Sequence, residues 1–422
     1  MRFACGSHRR SRPGPARATG QPGQQQSYRP GREGARVASR RRRQSLIDSV
    51  AIRPIFVFSI TRSGSTLVQR VIAAHEGVAT VSEPWLLLPY LYALRREGVN
   101  AEYTHRLLVT AIEDFCDELP AGSDDYRREL HDFVLRLYEK AAGPDARYFL
   151  DKSPPYYFVA EEIMRLFPEG KFVFLWRNPL SIIASIIETW TLGRWSPTLF
   201  REDLFIGLPR LVRAYARNRS RAHAVRFEDL IGGAGVGGNT GVDGVARGDL
   251  LGDGIAPGDL LGDGAVQGDV LGDGAAGRDV VAGGPTAWRR LMDYLEIEFD
   301  PDALRRFTEI ELSGRMGDHV GTGRYSRVSA EPAQKWAETI ANPLRNIWCR
   351  RYLRFLGDER LSVMGYDADQ LTKQLDSQPL RTSLLLEDLR SLVGDVAREP
   401  VRVRMRRHGI GGPNVIRELL RA

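Results

Sequence analysis

Short apolar runs, separated by segments of helical periodicity, are the sequence feature that most restricts how this chain can fold. Two such runs occur, at residues 55–60 and 171–176, and two further segments, at 147–150 and 222–227, are also predicted to be short strands. Runs of this length with little alternation between apolar and polar residues are typical of strands that are buried on both faces. Because these runs alternate with helical segments, we predict an α/β fold whose parallel sheet is flanked by helices.

A loop of small and polar residues, TRSGST, connects the first predicted strand to the first predicted helix. In such a turn, consecutive backbone N–H groups and the helix N-terminus converge on an anion, and hydroxyl side chains add donors. A plain strand–turn–helix connection is the alternative. We predict that this loop binds a phosphate through Arg62, Ser63, Gly64, Ser65 and Thr66.

The loop differs from that of nucleoside triphosphatases. Their GxxxxGK[ST] pattern requires a glycine at position 59 and a lysine at position 65, where this chain has Ser59 and Ser65. The cation of the loop comes earlier, at Arg62. The sheet is therefore predicted to be P-loop-like, and a kinase-like nucleotide-binding protein is the second hypothesis.

A second candidate phosphate site follows the third predicted strand. Arg177 comes directly after it, and Asn178 with Pro179 then forms a helix start, with Asn178 as the cap. Ser185 lies on that helix, eight residues after Arg177. An arginine fork and a helix hydroxyl bind a phosphate well, although Arg-Asn-Pro also occurs as simple loop chemistry. Two such sites indicate a nucleotide with phosphates at separate positions.

Both motifs resemble those of sulfotransferases that use 3′-phosphoadenosine 5′-phosphosulfate, in particular the bacterial branch similar to the tyrosylprotein sulfotransferases. TRSGST is similar to the family's 5′-phosphosulfate loop, usually PRSGTT. LWRNPLSIIAS is similar to its 3′-phosphate motif, usually RDPRxxxxS. The resemblance covers about residues 53–231 and 286–366. Thr61 stands in place of the usual proline, and Asn178 in place of the usual aspartate.

The resemblance implies further site residues. Glu83, in Val-Ser-Glu-Pro, matches the catalytic base, and Lys152, in Asp-Lys-Ser-Pro, matches the lysine that contacts the transferring sulfuryl group. Lys335, before Trp336, matches a late cofactor-binding lysine. Phe227 replaces the family's tyrosine, so that residue's role is not carried over. The alternatives are a helix-capping role for Glu83 and a surface position for Lys152.

Composition divides the chain into parts of different character. We predict a disordered basic tail (1–50), a sulfotransferase-like domain in two parts (51–231 and 286–370), a disordered insertion between them (232–285), and a C-terminal helix with a basic tail (371–422). The insertion repeats GDLLGDG or GDVLGDG at a period of ten residues and contains no glutamate. A calcium-binding repeat is therefore not favoured.

Charge and cysteine usage exclude several classes of protein. The formal net charge is +7, but arginines in the two ends supply it, so no stable nucleic-acid complex is expected. Three distant cysteines exclude a disulfide framework, and none of the seven histidines has the spacing of a metal site. No apolar run approaches the ~20 residues of a membrane span, and no secretory signal is recognisable, so a cytoplasmic protein is expected.

The predicted function is therefore transfer of a sulfuryl group from 3′-phosphoadenosine 5′-phosphosulfate to an acceptor hydroxyl, without a metal ion. The acceptor is a small molecule, a lipid or a carbohydrate, and residues 85–142 are expected to form its side of the site. Besides the kinase-like protein, the remaining alternative is a non-catalytic RNA-binding protein that acts through its basic tails.

Overall fold

The computed structural model describes residues 52–196, 199, 201–232, 285–317, 336–382 and 384–391. Several sequence predictions lie outside these ranges. They concern the N-terminal tail (1–50), nearly all of the insertion (232–285), the C-terminal basic tail and Lys335.

Five strands in the described part of the chain form one parallel sheet. In the spatial order β2-β3-β1-β4-β5, they are β1 (Arg53–Phe58), β2 (Val78–Thr80), β3 (Tyr148–Asp151), β4 (Lys171–Trp176) and β5 (Ala222–Arg226). The central β1 pairs in parallel with both neighbours, so that Phe56 lies between Asp151 and Phe172. The predicted parallel α/β fold is confirmed. Strand β2 was not predicted, because three residues are too few to form an apolar run.

Helices surround this sheet. They are α1 (Ser65–Ala73), α2 (Leu87–Tyr92), α3 (His105–Asp117), α4 (Ser123–Ala142), α5 (Ala160–Leu166), α6 (Pro179–Trp190), α7 (Leu208–Arg217), α8 (Phe227–Leu230), α9 (Pro285–Leu295), α10 (Ala303–Arg306), α11 (Trp336–Ile340), α12 (Pro343–Val363) and α13 (Ala368–Asp376). A 3₁₀-helix (Pro154–Phe158) precedes α5, and a π-helix (Glu202–Gly207) runs into α7. None of the helices in the described ranges is long and apolar enough to cross a membrane.

Two helices begin with the same Asn-Pro signal. At the start of α6 the Asn178 side chain accepts a hydrogen bond of 2.9 Å from the backbone N–H of Leu180. At the start of α12 the Asn342 side chain accepts one of 2.9 Å from Leu344. In both helices proline occupies the first position, where no backbone donor is needed. The predicted cap at Asn178 is thereby confirmed.

The central strands send alternate side chains to two separate cores. One face carries stacked phenyl rings of β1 and β4, with Phe58 and Phe172 nearly parallel at 6.1 Å. This face packs against α2, α4, α5, α6, α7 and α12. The opposite face carries Ile55, Val57 and Val173, which pack against α1 and α9. Burial on both faces explains why these strands are apolar throughout.

The chain that follows the predicted insertion returns to the same sheet. Trp288 of α9 donates a hydrogen bond of 2.9 Å from its indole N–H to the carbonyl of Leu230. The Tyr294 hydroxyl accepts one of 2.9 Å from the backbone N–H of Phe172 and donates one of 2.8 Å to the carbonyl of Arg221. Helix α9 therefore completes the second core beside β4 and β5.

Candidate functional site

The segments that follow the five strands meet at one edge of the sheet. In a parallel sheet all carboxyl ends lie on the same side, and ligands bind in the crevice outside them. The TRSGST loop follows β1, Glu83 follows β2, Lys152 follows β3, Arg177 follows β4 and Phe227 follows β5. Every predicted site residue that directly follows a strand therefore lies at this edge, and Ser185 lies further along α6.

The backbone of the TRSGST loop adopts left-handed conformations at two positions, which few residues other than glycine adopt easily. Arg62 and Gly64 have positive φ angles of 64° and 89°. Gly64 is the N-cap of α1, no side chain caps this helix, and its first turn contains no acidic residue. The positive end of α1 is therefore left without a capping side chain or a carboxylate of its own, as an anion site requires.

Glycine at position 64 is also required by packing. A Cβ atom there would lie 2.3 Å from Cε2 of Phe227, far inside van der Waals contact. Ser59, at the end of β1, is buried, and its hydroxyl has no hydrogen-bond partner within the described residues. An unpaired buried hydroxyl at one end of this loop and an uncapped helix start at the other fit a bound phosphate or sulfate group.

The two predicted phosphate motifs contact each other. The Arg177 guanidinium donates a hydrogen bond of 2.7 Å to the carbonyl of Arg62, and Nε of Arg62 donates one of 3.2 Å to Oγ of Ser185. Arg177 also stacks over the Phe227 ring, 4.7 Å from its centroid. Phe227 thus lies against both Gly64 and Arg177. Sequence reasoning missed this contact, because it considered only the hydroxyl that Phe227 lacks.

Glu83 and Lys152 form an ion pair at the other side of the crevice. Lys152 Nζ donates to Glu83 Oε1 at 2.7 Å, and the two side chains are only 1% and 12% exposed, respectively. The surface alternative for Lys152 is therefore wrong. The N-terminus of α2 receives no side-chain cap, so Glu83 does not cap it. The indole N–H of Trp85 donates to the second Glu83 oxygen at 3.3 Å.

A buried carboxylate, Asp151, lies directly before Lys152 and is the centre of a hydrogen-bond network. Asp151 accepts hydrogen bonds from the hydroxyls of Tyr138 at 2.7 Å, Tyr156 at 2.9 Å and Ser153 at 3.0 Å. Ser153 in turn accepts one of 3.1 Å from the backbone N–H of Trp85, whose φ is 53°. The network therefore ties the end of β3 to the strained backbone beside Glu83. Burial raises the pKa of Asp151 to about 6, against the opposing effect of its hydrogen-bond donors.

A second acid with a raised pKa, the half-buried Asp203, lies behind the TRSGST loop. Asp203 is part of the π-helix, and burial raises its pKa to about 6, while interactions with Thr61 and Tyr157 act in the opposite direction. π-Helical turns frequently occur near functional sites. Neither Asp151 nor Asp203 was singled out by sequence reasoning, since the partners of Asp203 are far away in the sequence and those of Asp151, although nearby, lie on separate elements. Within the described ranges no three His, Cys, Asp or Glu side chains gather as a metal site would require.

Comparison with known proteins shows which family this region is similar to. Residues 54–233 match the model of the sulfotransferase family. The chain is 31% identical to nodulation protein NoeE of Sinorhizobium fredii over 198 residues, which are 42% of this chain and 46% of that protein. The chain thus spans less than half the length of this relative. The predicted resemblance to sulfotransferases is confirmed.

Two solved structures show weaker similarity. A sulfotransferase domain from the curacin biosynthetic pathway gives a TM-score of 0.41 at 19% identity, over 75% of this chain and 98% of that domain. Sulfotransferase STF1 of Mycobacterium tuberculosis H37Rv gives a TM-score of 0.27 at 16% identity, over 46% of this chain and 67% of that protein. The fold assignment rests on the parallel sheet itself, because TM-scores this low add nothing to it.

Proposed function

We propose that this chain, whose residues 54–233 belong to the sulfotransferase family, moves a sulfuryl group from 3′-phosphoadenosine 5′-phosphosulfate to an acceptor hydroxyl. The observation that carries the proposal is the buried Glu83–Lys152 pair, which lies at the same sheet edge as the TRSGST loop. A base and a cation are the two groups that this transfer needs.

The loop and the Arg177 motif would bind the donor. Backbone N–H groups at the start of α1, with Arg62, Ser63 and Ser65, suit the 5′-phosphosulfate, and Arg177 with Ser185 suits the 3′-phosphate. The donor supplies an activated sulfuryl group on a phosphate. Gly64 and Thr66 belong to the same loop. Lys335 lies outside the described residues, and its contact with the donor is part of the proposal.

Glu83 and Lys152 would carry out the transfer itself. Glu83 accepts the proton of the acceptor hydroxyl as the new O–S bond forms. Lys152 stabilises the charge that grows on the bridging oxygen as the old S–O bond breaks. In the structure the two groups bind each other at 2.7 Å. An acceptor hydroxyl bound at Glu83 would therefore compete with this pairing and free the Lys152 ammonium group to bind the donor.

Donor binding and transfer can be tested separately. Calorimetry with adenosine 3′,5′-bisphosphate should show magnesium-independent binding, whereas ATP should bind more weakly because it lacks the 3′-phosphate. Transfer of radiolabelled sulfate should then be measured on a panel of small-molecule, lipid and carbohydrate alcohols, with Glu83→Gln as the inactive control that still binds donor. Magnesium-dependent ATP turnover without bisphosphate binding would contradict the proposal in favour of a kinase-like protein.

A further inference from the structure

A cavity of about 700 Å³ lies between the segment after α2, the 3₁₀-helix Pro154–Phe158, α5 and α7. We call it the arginine cavity, because five arginines line it, namely Arg95, Arg96, Arg165, Arg210 and Arg213. Its three acidic residues are Glu97, Glu161 and Glu162. Its volume is within the range of small-molecule sites.

The glutamates of the arginine cavity already have partners. Glu97 pairs with Arg106 at 2.5 Å, Glu161 pairs with Arg217 at 3.4 Å, and Glu162 pairs with Arg95. By contrast, Arg165, Arg210 and Arg213 form no ion pair within the described part of the chain. The cavity therefore presents three cations without an ion pair, of which Arg165 and Arg210 are exposed and Arg213 is half-buried, and only Glu162 among its carboxylates acts on Arg210.

These cations also affect one another. Partial burial lowers the pKa of the Arg210 guanidinium, and the neighbouring Arg95 and Arg213 lower it further, while Tyr92 and Glu162 act in the opposite direction. Like charges held this close are unfavourable in the protein alone, and an anion placed among them would relieve the repulsion.

Aromatic rings fix two of the guanidinium groups in place. Arg210 stacks over the Phe158 ring, 5.4 Å from its centroid, and Arg95 stacks over the Tyr92 ring at 5.2 Å. A stacked guanidinium keeps its N–H edge available for a planar or tetrahedral oxyanion. Together with Tyr157, these rings also provide an apolar wall on which the ring of a ligand can pack.

A short helix connects the arginine cavity to the segment that carries Lys152. The 3₁₀-helix that lines it begins directly after Lys152 and Ser153, and its Tyr156 donates to Asp151. Tyr157, in the cavity wall, interacts with Asp203, which also interacts with Thr61 of the TRSGST loop. An acceptor that extends from Glu83 along this helix would bring a part remote from its reacting hydroxyl to the cavity.

We propose that the arginine cavity binds an anionic group of the acceptor, so that the acceptor class is a ring-bearing alcohol that already carries a phosphate, sulfate or carboxylate. This proposal rests on the proposed sulfotransferase function. It narrows the acceptor class within that function, because a neutral alcohol would leave the three arginines unpaired.

The test uses phenyl phosphate as an anionic probe and phenyl glucoside as its neutral counterpart. Ligand-observed NMR titrations are made on the full chain saturated with adenosine 3′,5′-bisphosphate, so that the donor site is filled. The proposal expects phenyl phosphate to bind, and phenyl glucoside to bind at least about tenfold more weakly. Equal affinity of the two probes, or loss of phenyl phosphate binding when the bisphosphate is present, would overturn it.

Matched arginine variants locate the binding. Arg210→Gln combined with Arg213→Gln should weaken phenyl phosphate binding about tenfold or more, since two charged contacts are lost. Arg289→Gln is the control, because Arg289 also stacks on a phenyl ring, Phe299 at 5.6 Å, but lies on α9 at the opposite face of the sheet. An equal loss in the control would overturn the assignment.

Bisphosphate affinity separates this proposal from the proposed function. It should be unchanged in both the double variant and the control, which also shows that the variants are folded. Bisphosphate binding without any probe binding rejects the arginine cavity alone. Probe binding without bisphosphate binding rejects the donor and leaves the arginine cavity as an anion site.

Discussion

The two sides of the crevice are built in different ways. The donor half consists of Arg62, Gly64, Arg177, Ser185 and Phe227, and it is held together by backbone geometry, a stacked ring and contacts between two short motifs. The transfer half consists of Glu83, Trp85, Asp151, Lys152 and Ser153, and hydrogen bonds join it into one network around the buried Asp151, Lys152 and Ser153. A substitution in the donor half should therefore remove one contact, whereas one in the transfer half disturbs buried charge.

The largest effect is expected in the transfer half, from Glu83→Gln. The amide can still accept a hydrogen bond from Lys152, but it cannot take the acceptor's proton. Sulfate transfer should therefore fall about 10²–10⁴-fold, the usual contribution of a general base, while bisphosphate affinity is retained. Single-turnover transfer and calorimetry measure the two quantities. The exposed Glu76, at the end of α1, provides the control variant Glu76→Gln, and full turnover in Glu83→Gln would contradict the assignment.

The buried acid beneath this pair predicts a pH dependence of stability. Asp151 ionises near 3.8 in the unfolded chain and at about 6 in the folded protein, because burial disfavours its charged form. Between these values the folded state retains a proton that the unfolded chain has released. The stabilisation that this proton gives the folded protein is on the order of 3 kcal/mol. It is complete below about pH 4 and is lost as the pH rises to about 6.

Asp151→Asn removes this titration and should flatten the dependence of the free energy of unfolding on pH between about 4 and 6. Urea denaturation at several pH values measures it. Asp117→Asn, at an exposed position of α3, is the control and should leave the slope as in the wild type. Asp203→Asn should independently reduce the pH dependence of the free energy of unfolding over the same range, since burial also raises the pKa of Asp203 to about 6. An unchanged slope in Asp151→Asn would show that this carboxylate titrates normally.

The two halves also differ in how far the sequence predicts them. The donor half could be found from its motifs, because Arg62 and Gly64 belong to one loop, and Arg177 and Ser185 to one strand–helix turn. The strands could be predicted for a similar reason, since burial on both faces leaves a local apolar run. Strand β2 has only three half-exposed residues and leaves no such run.

The hydrogen bonds that hold the transfer half together could not be predicted from local sequence motifs. Asp151 receives hydrogen bonds from Tyr138, Tyr156 and Ser153, which lie on three separate elements or turns. Phe227 shows the same limit, because its contact with Gly64 joins residues 163 positions apart, and only the folded sheet brings them together. Local pattern predicts the elements, whereas contacts between their ends depend on the three-dimensional packing.

A smaller effect is expected from Arg177→Ala in the donor half. Loss of one charged contact to the 3′-phosphate costs about 1.5–3 kcal/mol, so bisphosphate affinity should fall roughly tenfold to hundredfold. AMP, which lacks that phosphate, should bind almost as before. Arg177 also donates to the carbonyl of Arg62, so calorimetry with both ligands is decisive. Equal losses for the two would assign Arg177 to loop structure instead of phosphate binding.

The smallest effect is expected from replacing residues 233–284 by a short glycine-serine linker. The two flanks of this segment are already joined, since Trp288 donates to the carbonyl of Leu230 at 2.9 Å. A short linker can therefore connect them without pulling β5 away from α9. Shortening a loop stabilises a protein only slightly, by about 0.6 kcal/mol for each halving of its length. Bisphosphate affinity should stay within about twofold, and thermal stability should rise slightly and not respond to calcium. Calcium-dependent stabilisation of the full chain, or loss of bisphosphate binding with both a short and a longer linker, would instead make the repeat segment part of the donor half.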